Sequence, residues 1–167
     1  SLFSGVGGGL LASTYLLENR KVVCAVESES FAVDVLLQRQ RDGLLPLFPV
    51  WDDIKTFPGE DWRGYIDIIS AGFPCTPHSV AGLQKGADDE RDLWPDTMSC
   101  IRKVRPRIVE LENTPGIVSS GFIVGILEDL AEAGYDASWC VLPAASPLVG
   151  ANHIRKRWWC RATLAGE

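Results

Sequence analysis

The sequence lacks any apolar run close to the roughly 20 residues that a membrane-spanning helix needs, and no basic segment leads into an apolar one. Its five cysteines are scattered and include no Cys-x-x-Cys pair. This pattern argues against a disulfide framework and against a cysteine-rich zinc site. Internal repeats and low-complexity linkers are also lacking. These absences predict a protein of a reducing compartment such as the cytoplasm, without a metal centre.

Positive charge is scarce as well. Lys and Arg number 16 against 22 Asp and Glu, which gives a net charge of −6. This balance excludes a protein that coats nucleic acid along its whole surface, since phosphate binding depends on clustered Lys and Arg. The basic residues that are present fall into two groups, one at 102–107 and one at 155–161. Two local basic patches remain compatible with DNA held on one side.

The chain has the length and the apolar content of one folded domain, with 167 residues of which 46% are hydrophobic. Apolar runs and amphipathic runs alternate along it. Strands are predicted at 1–4, 21–27, 51–54, 65–71, 107–112, 135–142 and 156–162, and helices at 9–19, 28–41, 93–104 and 122–133. Strands that alternate with helices predict an α/β fold: a doubly wound, mostly parallel, Rossmann-like sheet that ends in a C-terminal hairpin.

Cys75 is the first candidate for chemistry. It follows the apolar strand 65–71 and stands between Pro74 and Pro77 in Gly72-Phe73-Pro74-Cys75-Thr76-Pro77. Ligands of open α/β sheets bind at the carboxyl ends of the strands, and proline fixes the local backbone, so Cys75 is a candidate nucleophile. Free cysteine is also commonly a small buried apolar residue, and the local sequence leaves the two interpretations open. The other four cysteines have apolar or helix-forming neighbours and are predicted to be buried.

A glycine turn after the first strand predicts a cofactor cradle. Gly5 and Gly7 allow the backbone to approach a ligand and expose the amides of the following helix. The turn is neither a dinucleotide fingerprint, because Leu10 stands where the third glycine belongs, nor a P-loop. Glu27, at the end of the second strand, is placed to accept hydrogen bonds from ribose hydroxyls, or alternatively to complement the dipole of the next helix. The pattern predicts a cofactor that contains adenosine.

Glu112 ends the strand predicted to lie next to the strand before Cys75. A carboxylate beside a thiol raises the pKa of the thiol and disfavours the thiolate. The pairing is therefore chemically useful if Glu112 binds the substrate, for example a ring nitrogen. The alternative is that Glu112 caps the following turn.

Six segments in this order resemble motifs of the C5-cytosine DNA methyltransferases over nearly the whole chain. The segments are Leu2-Phe3-Ser4-Gly5-Val6-Gly7-Gly8, Glu27-Ser28-Glu29-Ser30-Phe31-Ala32, Asp53-Ile54, Gly72-Phe73-Pro74-Cys75, Glu112-Asn113 and Arg155-Lys156-Arg157. Any one of them alone is weak evidence, whereas all six in order are strong evidence.

The resemblance implies the roles of these residues. The Cys75 thiolate adds to C6 of a cytosine flipped out of double-stranded DNA, and Glu112 binds the N3 and amine edge of that base. Arg155 and Arg157 contact the base or a phosphate, and Arg157 favours the thiolate. The implied S-adenosyl-L-methionine site comprises Phe3, Gly5, Gly7, Glu27, Asp53 and Ile54. The segment 78–92 is expected to close over the DNA, in a restriction-modification enzyme of a prokaryote or phage.

Two alternatives stay open at this point: methylation of cytosine in RNA by the same residues, and a non-catalytic module that depends on another chain. The resemblance implies that residues 1–167 form a single cofactor-binding and catalytic lobe. The start of the first strand, the target-recognition region and the final helix are expected to lie outside these residues, downstream or on a partner chain.

Overall fold

The computed structural model describes residues 1–74 and 92–166. The helices are α1 (Gly8–Tyr15), α2 (Ser30–Arg41), α3 (Trp94–Val104), α4 (Gly116–Ser119) and α5 (Phe122–Glu132). The strands are β1 (Ala25–Val26), β2 (Val50–Trp51), β3 (Ile68–Ala71), β4 (Ile108–Asn113), β5 (Tyr135–Pro143) and β6 (Lys156–Leu164). Two short 3₁₀ helices, Ile54–Thr56 and Gly59–Trp62, follow β2. Cys75 and nearly all of the predicted closing segment lie outside the described residues.

The strands form the predicted mixed sheet. β1 pairs with β2 and β3 with β4 in parallel, whereas β6 is antiparallel to both β4 and β5. Leu2 joins the two parts, because it forms parallel bridges to Val26 and to Ala71. The order across the sheet is therefore β2–β1–Leu2–β3–β4–β6–β5. This order confirms the α/β fold and the terminal hairpin.

Several elements are shorter than predicted. The strand expected at 21–27 pairs only at Ala25–Val26, and the strand expected at 1–4 is reduced to the Leu2 bridge. The helix expected at 9–19 ends at Tyr15, and the chain turns through Asn19, whose φ of 64° lies in the left-handed region. The hydrophobic pattern correctly predicted strands and a helix in these segments. The number of residues that pair in a strand depends on its neighbouring strands, which the pattern does not reveal.

Two apolar cores lie on opposite faces of the sheet. Ala25 belongs to the smaller core and Val26 to the larger one, and successive strand residues point to opposite faces. The larger core joins β3, β4 and β6 to α3 and α5 through fully buried side chains such as Ile101, Leu130 and Trp158. The smaller core joins α1 and α2 to β1 through Leu10, Ala25, Leu36, Leu45 and Phe48. Among the described residues, no helix is long and apolar enough to cross a membrane.

Candidate active site

β3 and β4 bring the start of the Cys75 segment next to Glu112. The two strands are parallel with Ala71 opposite Leu111, so Gly72 and Glu112 lie side by side at the carboxyl edge of the β3–β4 ladder. A Cβ added to Gly72 would lie 3.5 Å from Oε2 of Glu112. The backbone two to three residues before Cys75 therefore runs past this carboxylate.

Arg157 holds the other oxygen of Glu112. Its Nε lies 2.7 Å from Glu112 Oε1, and both side chains are partly buried. The pairing follows from register, because β6 runs antiparallel to β4 and begins beside its carboxyl end. Glu112 and Arg157 were predicted to share one site, and the structure brings them together. Arg155 lies just before β6 with an exposed side chain.

Asn113 ties the Gly72–Pro74 backbone to β4. Its side chain is buried, donates from Nδ2 to the Phe73 carbonyl at 3.0 Å and accepts from the Thr114 N–H at 2.8 Å. Buried amides need such partners. The sequence resemblance implied that Glu112-Asn113 binds the flipped cytosine, but it did not predict this contact of Asn113 with the Phe73 backbone. The alternation of β4 was the available signal, since it puts Asn113 on the same face as the apolar Val109 and Leu111.

An aromatic pair holds the same backbone from the other side. Phe73 and Trp94 are buried, and their ring centroids lie 5.1 Å apart. The indole Nε1 of Trp94 donates to Asp129 on α5 at 2.7 Å, and Arg102 of α3 contacts the same carboxylate at 3.2 Å. These contacts fix the residues that flank segment 75–91 to the large core. The sequence did not predict this pair.

The glycine turn and Glu27 form a second group at the same edge. Glu27 follows β1, and its carboxylate accepts from the Gly5 N–H at 2.6 Å and from the Glu29 N–H at 2.9 Å. Gly5 and Gly7 have φ of 52° and 84°, values that favour glycine. A Cβ on Gly7 would also lie 2.7 Å from Leu36, whereas one on Gly5 would meet nothing within 4 Å. Gly7 is thus favoured by its positive φ and by its close approach to Leu36, and Gly5 borders open space.

The remaining predicted cofactor residues surround this group. Phe3 follows Leu2 in a left-handed conformation with φ of 53°, which is uncommon for a residue other than glycine. Asp53 follows β2 and caps the 3₁₀ helix by accepting from the Lys55 N–H at 2.9 Å, and Ile54 is buried. The segments that carry these residues all lie at the carboxyl edge between β2 and β3. The arrangement offers the open backbone at Gly5 and two carboxylates to a ligand.

The described cysteines differ in burial. Cys24, Cys100 and Cys160 are buried as predicted, whereas Cys140 is exposed on the edge strand β5, so its predicted burial was wrong. Burial raises the pKa of the Cys100 and Cys160 thiols to about 11, which keeps them protonated and unreactive. No group of three or more metal-ligating side chains occurs within residues 1–74 and 92–166.

Comparisons with known proteins agree with this geometry. The family model of C-5 cytosine-specific DNA methylases matches residues 1–167. The Type II methyltransferase M.NgoMIV of Neisseria gonorrhoeae is 37% identical over 116 residues, which cover 65% of this chain and 36% of that protein. The Type II methyltransferase M.CviJI of Paramecium bursaria Chlorella virus IL3A is 34% identical over 114 residues, 68% of this chain and 30% of that protein. The chain thus spans about a third of the length of these curated relatives.

The fold also matches solved structures. The crystal structure of the S. pombe Dnmt2 methyltransferase superposes with a TM-score of 0.74 at 21% identity and covers all of this chain and half of the other. At this identity the likeness establishes the α/β fold alone.

Proposed function

Because the chain belongs to the C-5 cytosine-specific DNA methylases, we propose that the protein transfers a methyl group from S-adenosyl-L-methionine to C5 of cytosine in DNA. The observation that carries the proposal is the Glu112–Arg157 pair beside Gly72, at the carboxyl edge of the sheet. Here a carboxylate is held by an arginine next to the segment that leads to Cys75. Such a carboxylate can bind a nucleobase and activate it for attack by the cysteine. The family model, which describes cytosine-specific DNA methylases, favours DNA over RNA as the substrate.

The proposed chemistry starts from Cys75, which lies outside the described residues. Its thiolate attacks C6 of a flipped cytosine, and the electron pair of the C5–C6 bond then takes up the methyl group at C5. Loss of the C5 proton to solvent and expulsion of the Cys75 thiolate restore the aromatic ring. When bound, S-adenosyl-L-methionine would supply the electrophilic methyl group and would leave as a neutral thioether.

Glu112 binds the N3 and amine edge of the base in this proposal. Both oxygens remain available to the base, because Oε1 pairs with Arg157 and retains a second lone pair, and Oε2 lies toward Gly72. Holding the carboxylate in one orientation before the base arrives lowers the barrier, because the group does not reorganise during the reaction. Arg157 therefore positions Glu112 in addition to the contact with the base or with the thiolate that we propose for it. Arg155, exposed before β6, is proposed to reach the base or a phosphate.

The described residues fit the proposed cofactor. The glycine turn leaves open space at Gly5, Gly8 and Gly9, so a ligand can approach the backbone at the start of α1. Each Glu27 oxygen accepts one backbone N–H and retains a second lone pair for a ribose hydroxyl. Phe3, Asp53 and Ile54 complete the proposed pocket at the adenosine end.

Target recognition is proposed to lie outside residues 1–167. The net charge of −6 leaves few phosphate contacts for sequence-specific binding by this lobe alone. We propose that a region downstream or on a partner chain reads the base edges and that a further helix completes the cofactor pocket.

The test uses the full-length protein that carries this chain. Cys75→Ser should abolish methyl transfer to duplex DNA and leave cofactor binding unchanged, because a serine hydroxyl is not ionised at neutral pH. Glu27→Ala should instead weaken cofactor binding. The matched control is Cys140→Ser, which changes an exposed cysteine on β5 and should leave both measurements at the wild-type level.

Methyl transfer that persists in the Cys75→Ser protein would exclude the covalent mechanism. Transfer to an RNA substrate but not to DNA duplexes would favour the RNA alternative. Cofactor binding without transfer to either substrate would favour the non-catalytic module.

A further inference from the structure

β5 is the last strand of the sheet in the part of the chain that the structure describes, because it pairs only with β6. It is nine residues long, and its pairing with β6 is continuous, without a bulge. Asp136 is its one charged side chain, and its one proline is the last residue. Proteins keep edge strands from pairing with other chains by short length, lysines, internal prolines and bulges. β5 has little of this protection.

The hydrogen bonds of the hairpin show which residues of β5 direct their backbone groups outward. Just beyond the strand, Ala144 donates to the Arg155 carbonyl on the β6 side at 3.0 Å. In an antiparallel pair, residues that exchange hydrogen bonds alternate with residues that do not. The even-numbered residues of β5 therefore bond to β6, and the odd-numbered ones direct their N–H and C=O groups away from it. We call three of these residues the open edge: Ala137, Trp139 and Val141.

The side chains of the open edge are apolar and exposed. They lie on the same face of the sheet as Tyr135, which is buried in the large core, but none of the three belongs to that core. Trp139 is 45% exposed and Val141 37%. Pairing with another strand would remove these side chains from water and would give the outward backbone groups their partners.

A second copy of β5 is complementary to the open edge when it runs antiparallel about a twofold axis at Trp139. Trp139 is the midpoint of β5, so this axis pairs each outward residue of one copy with an outward residue of the other. No like charges lie opposite each other in this register, and apolar side chains of the open edge meet only apolar ones. The opposed pairs are Trp139 with Trp139, Ala137 with Val141, Ser138 with Cys140, and Asp136 with Leu142.

We propose that the open edge joins two copies of this protein into a dimer, through one continuous antiparallel sheet with its twofold axis at Trp139. The same surface is used by both copies, so the contact closes and assembly stops at two. One strand from each copy makes a small interface, and the dimer is therefore weak and depends on concentration. β6 separates β5 from Glu112 on β4, so the inference does not depend on methyl transfer.

The first test measures mass against concentration by sedimentation equilibrium, with the full-length protein that carries this chain. The wild-type mass should rise to that of a dimer. Trp139→Lys should weaken the dimer at least about 100-fold, because it removes apolar contact and places two like charges at the axis. The matched control is Trp159→Lys, since Trp159 is 48% exposed but lies on β6, which is paired on both sides. It should leave the mass curve unchanged.

A second variant tests the backbone rather than the side chain. Ala137→Pro removes one outward N–H and leaves the hydrogen bonds between β5 and β6 intact, which is the position in which edge strands accept proline. It should also weaken the dimer at least about tenfold. Thermal midpoints of the variants establish that each protein is folded at the temperature of the measurement.

A disulfide tests the register. Ser138→Cys places a thiol opposite Cys140 of the second copy, in a pair whose Cα atoms lie about 4.5 Å apart, within the range that a disulfide bridges. Mild oxidation should give a covalent dimer, with this disulfide located by mass spectrometry. Asp136→Cys is the matched control, because its thiol lies opposite Leu142, and it should cross-link about tenfold less.

A full-length protein that stays monomeric up to about 100 µM would overturn the proposal. A dimer that is unaffected by Trp139→Lys or by Ala137→Pro would also overturn it, as would equal cross-linking of the two cysteine variants. Slow hydrogen exchange of the Trp139 and Val141 amides in the monomer would show that another segment of the full-length chain covers the open edge. That result would likewise exclude the dimer.

Discussion

The two halves of the sheet are held together by different means. In the catalytic half, which comprises β3–β6, α3 and α5, β4 and β6 pair over six positions and β5 and β6 over nine. In the cofactor half, which comprises the glycine turn, α1, α2, β1 and β2, the only ladder of named strands among the described residues is two positions long. The catalytic half also contains most of the large core, whereas the small core consists of five buried residues.

In the cofactor half, hydrogen bonds from side chains connect the segments that strand pairing connects in the catalytic half. Glu27 ties the glycine turn to the end of β1, and Glu29 caps α2 by accepting from the N–H groups of Phe31 and Ala32. Arg39 of α2 donates to the Val6 carbonyl. A region with few buried apolar contacts opens locally at lower free energy than a packed core. The cofactor half should therefore be the less stable half, and the following predictions test this difference.

The largest effect is expected from Glu112→Gln in the full-length protein. The amide keeps the shape of the side chain but loses the charge that pairs with Arg157 at 2.7 Å. Removal of a fixed electrostatic group typically lowers kcat about 10²–10³-fold. Steady-state methyl-transfer kinetics measure the loss, and cofactor affinity should be unchanged because Glu112 belongs to the catalytic half.

The control Glu128→Gln changes an exposed carboxylate on α5 and should have no effect on kcat. A Glu112→Gln enzyme with wild-type kcat would remove Glu112 from the mechanism.

The second prediction compares matched truncations in the two cores. Leu130 and Leu36 are both fully buried. Leu130→Ala should lower the free energy of unfolding by about 4 kcal/mol, near the upper part of the range for buried leucines, and Leu36→Ala by about 2 kcal/mol. The small core borders loops that can relax into the space left by Leu36, whereas the large core is surrounded by strands and helices. Urea titrations of the two variants measure both values, and an equal or larger loss for Leu36→Ala would contradict the difference between the halves.

The sequence predicted the bounds of the strands more accurately in the catalytic half than in the cofactor half. Strand 107–112 and the hairpin were placed within about two residues of their observed bounds, because apolar and aromatic residues recur along them. The juxtaposition of Glu112 and Arg157 followed from motif order. The reduction of strands 1–4 and 21–27 to a bridge and a two-residue ladder could not be predicted, since pairing depends on distant partners. Nor could the tether from Asn113 to Phe73, which joins residues 40 positions apart.

The third prediction concerns the tie between Glu27 and the glycine turn. Glu27→Gln weakens two short hydrogen bonds, because the amide carries no charge and has only one acceptor oxygen. Hydrogen bonds to charged groups contribute about 1.5–3 kcal/mol each when lost completely, and Gln retains part of one. Exchange of the Gly5 and Glu29 amides should accelerate about tenfold, whereas amides of β4 should not change. The control Glu18→Gln alters an exposed carboxylate after α1, and acceleration throughout β4 would show that the two halves open together.

The smallest effect concerns the ion pair that joins the two halves. Arg20, between α1 and β1, donates through both terminal nitrogens to Glu110 on β4 at 2.8 Å each. The hydrogen bonds from Arg20 lower the pKa of Glu110 below its ordinary value of 4.5, although burial opposes this shift. A carboxyl group with a lowered pKa in the folded state stabilises the fold above its unfolded-state pKa, and this stabilisation is lost as the pH falls through the folded-state pKa.

Arg20→Gln should therefore reduce the free energy of unfolding by about 1 kcal/mol at neutral pH, because the pair is partly exposed. The gap between wild type and variant should close on acidification below about pH 4. Urea unfolding at a series of pH values measures this dependence. Arg161→Gln is the matched control, because Arg161 lies 3.8 Å from the same carboxylate and contacts β4 from within the catalytic half. If Arg161→Gln lost as much stability as Arg20→Gln, the ion pair across the two halves would contribute no more to stability than an ion pair within the catalytic half.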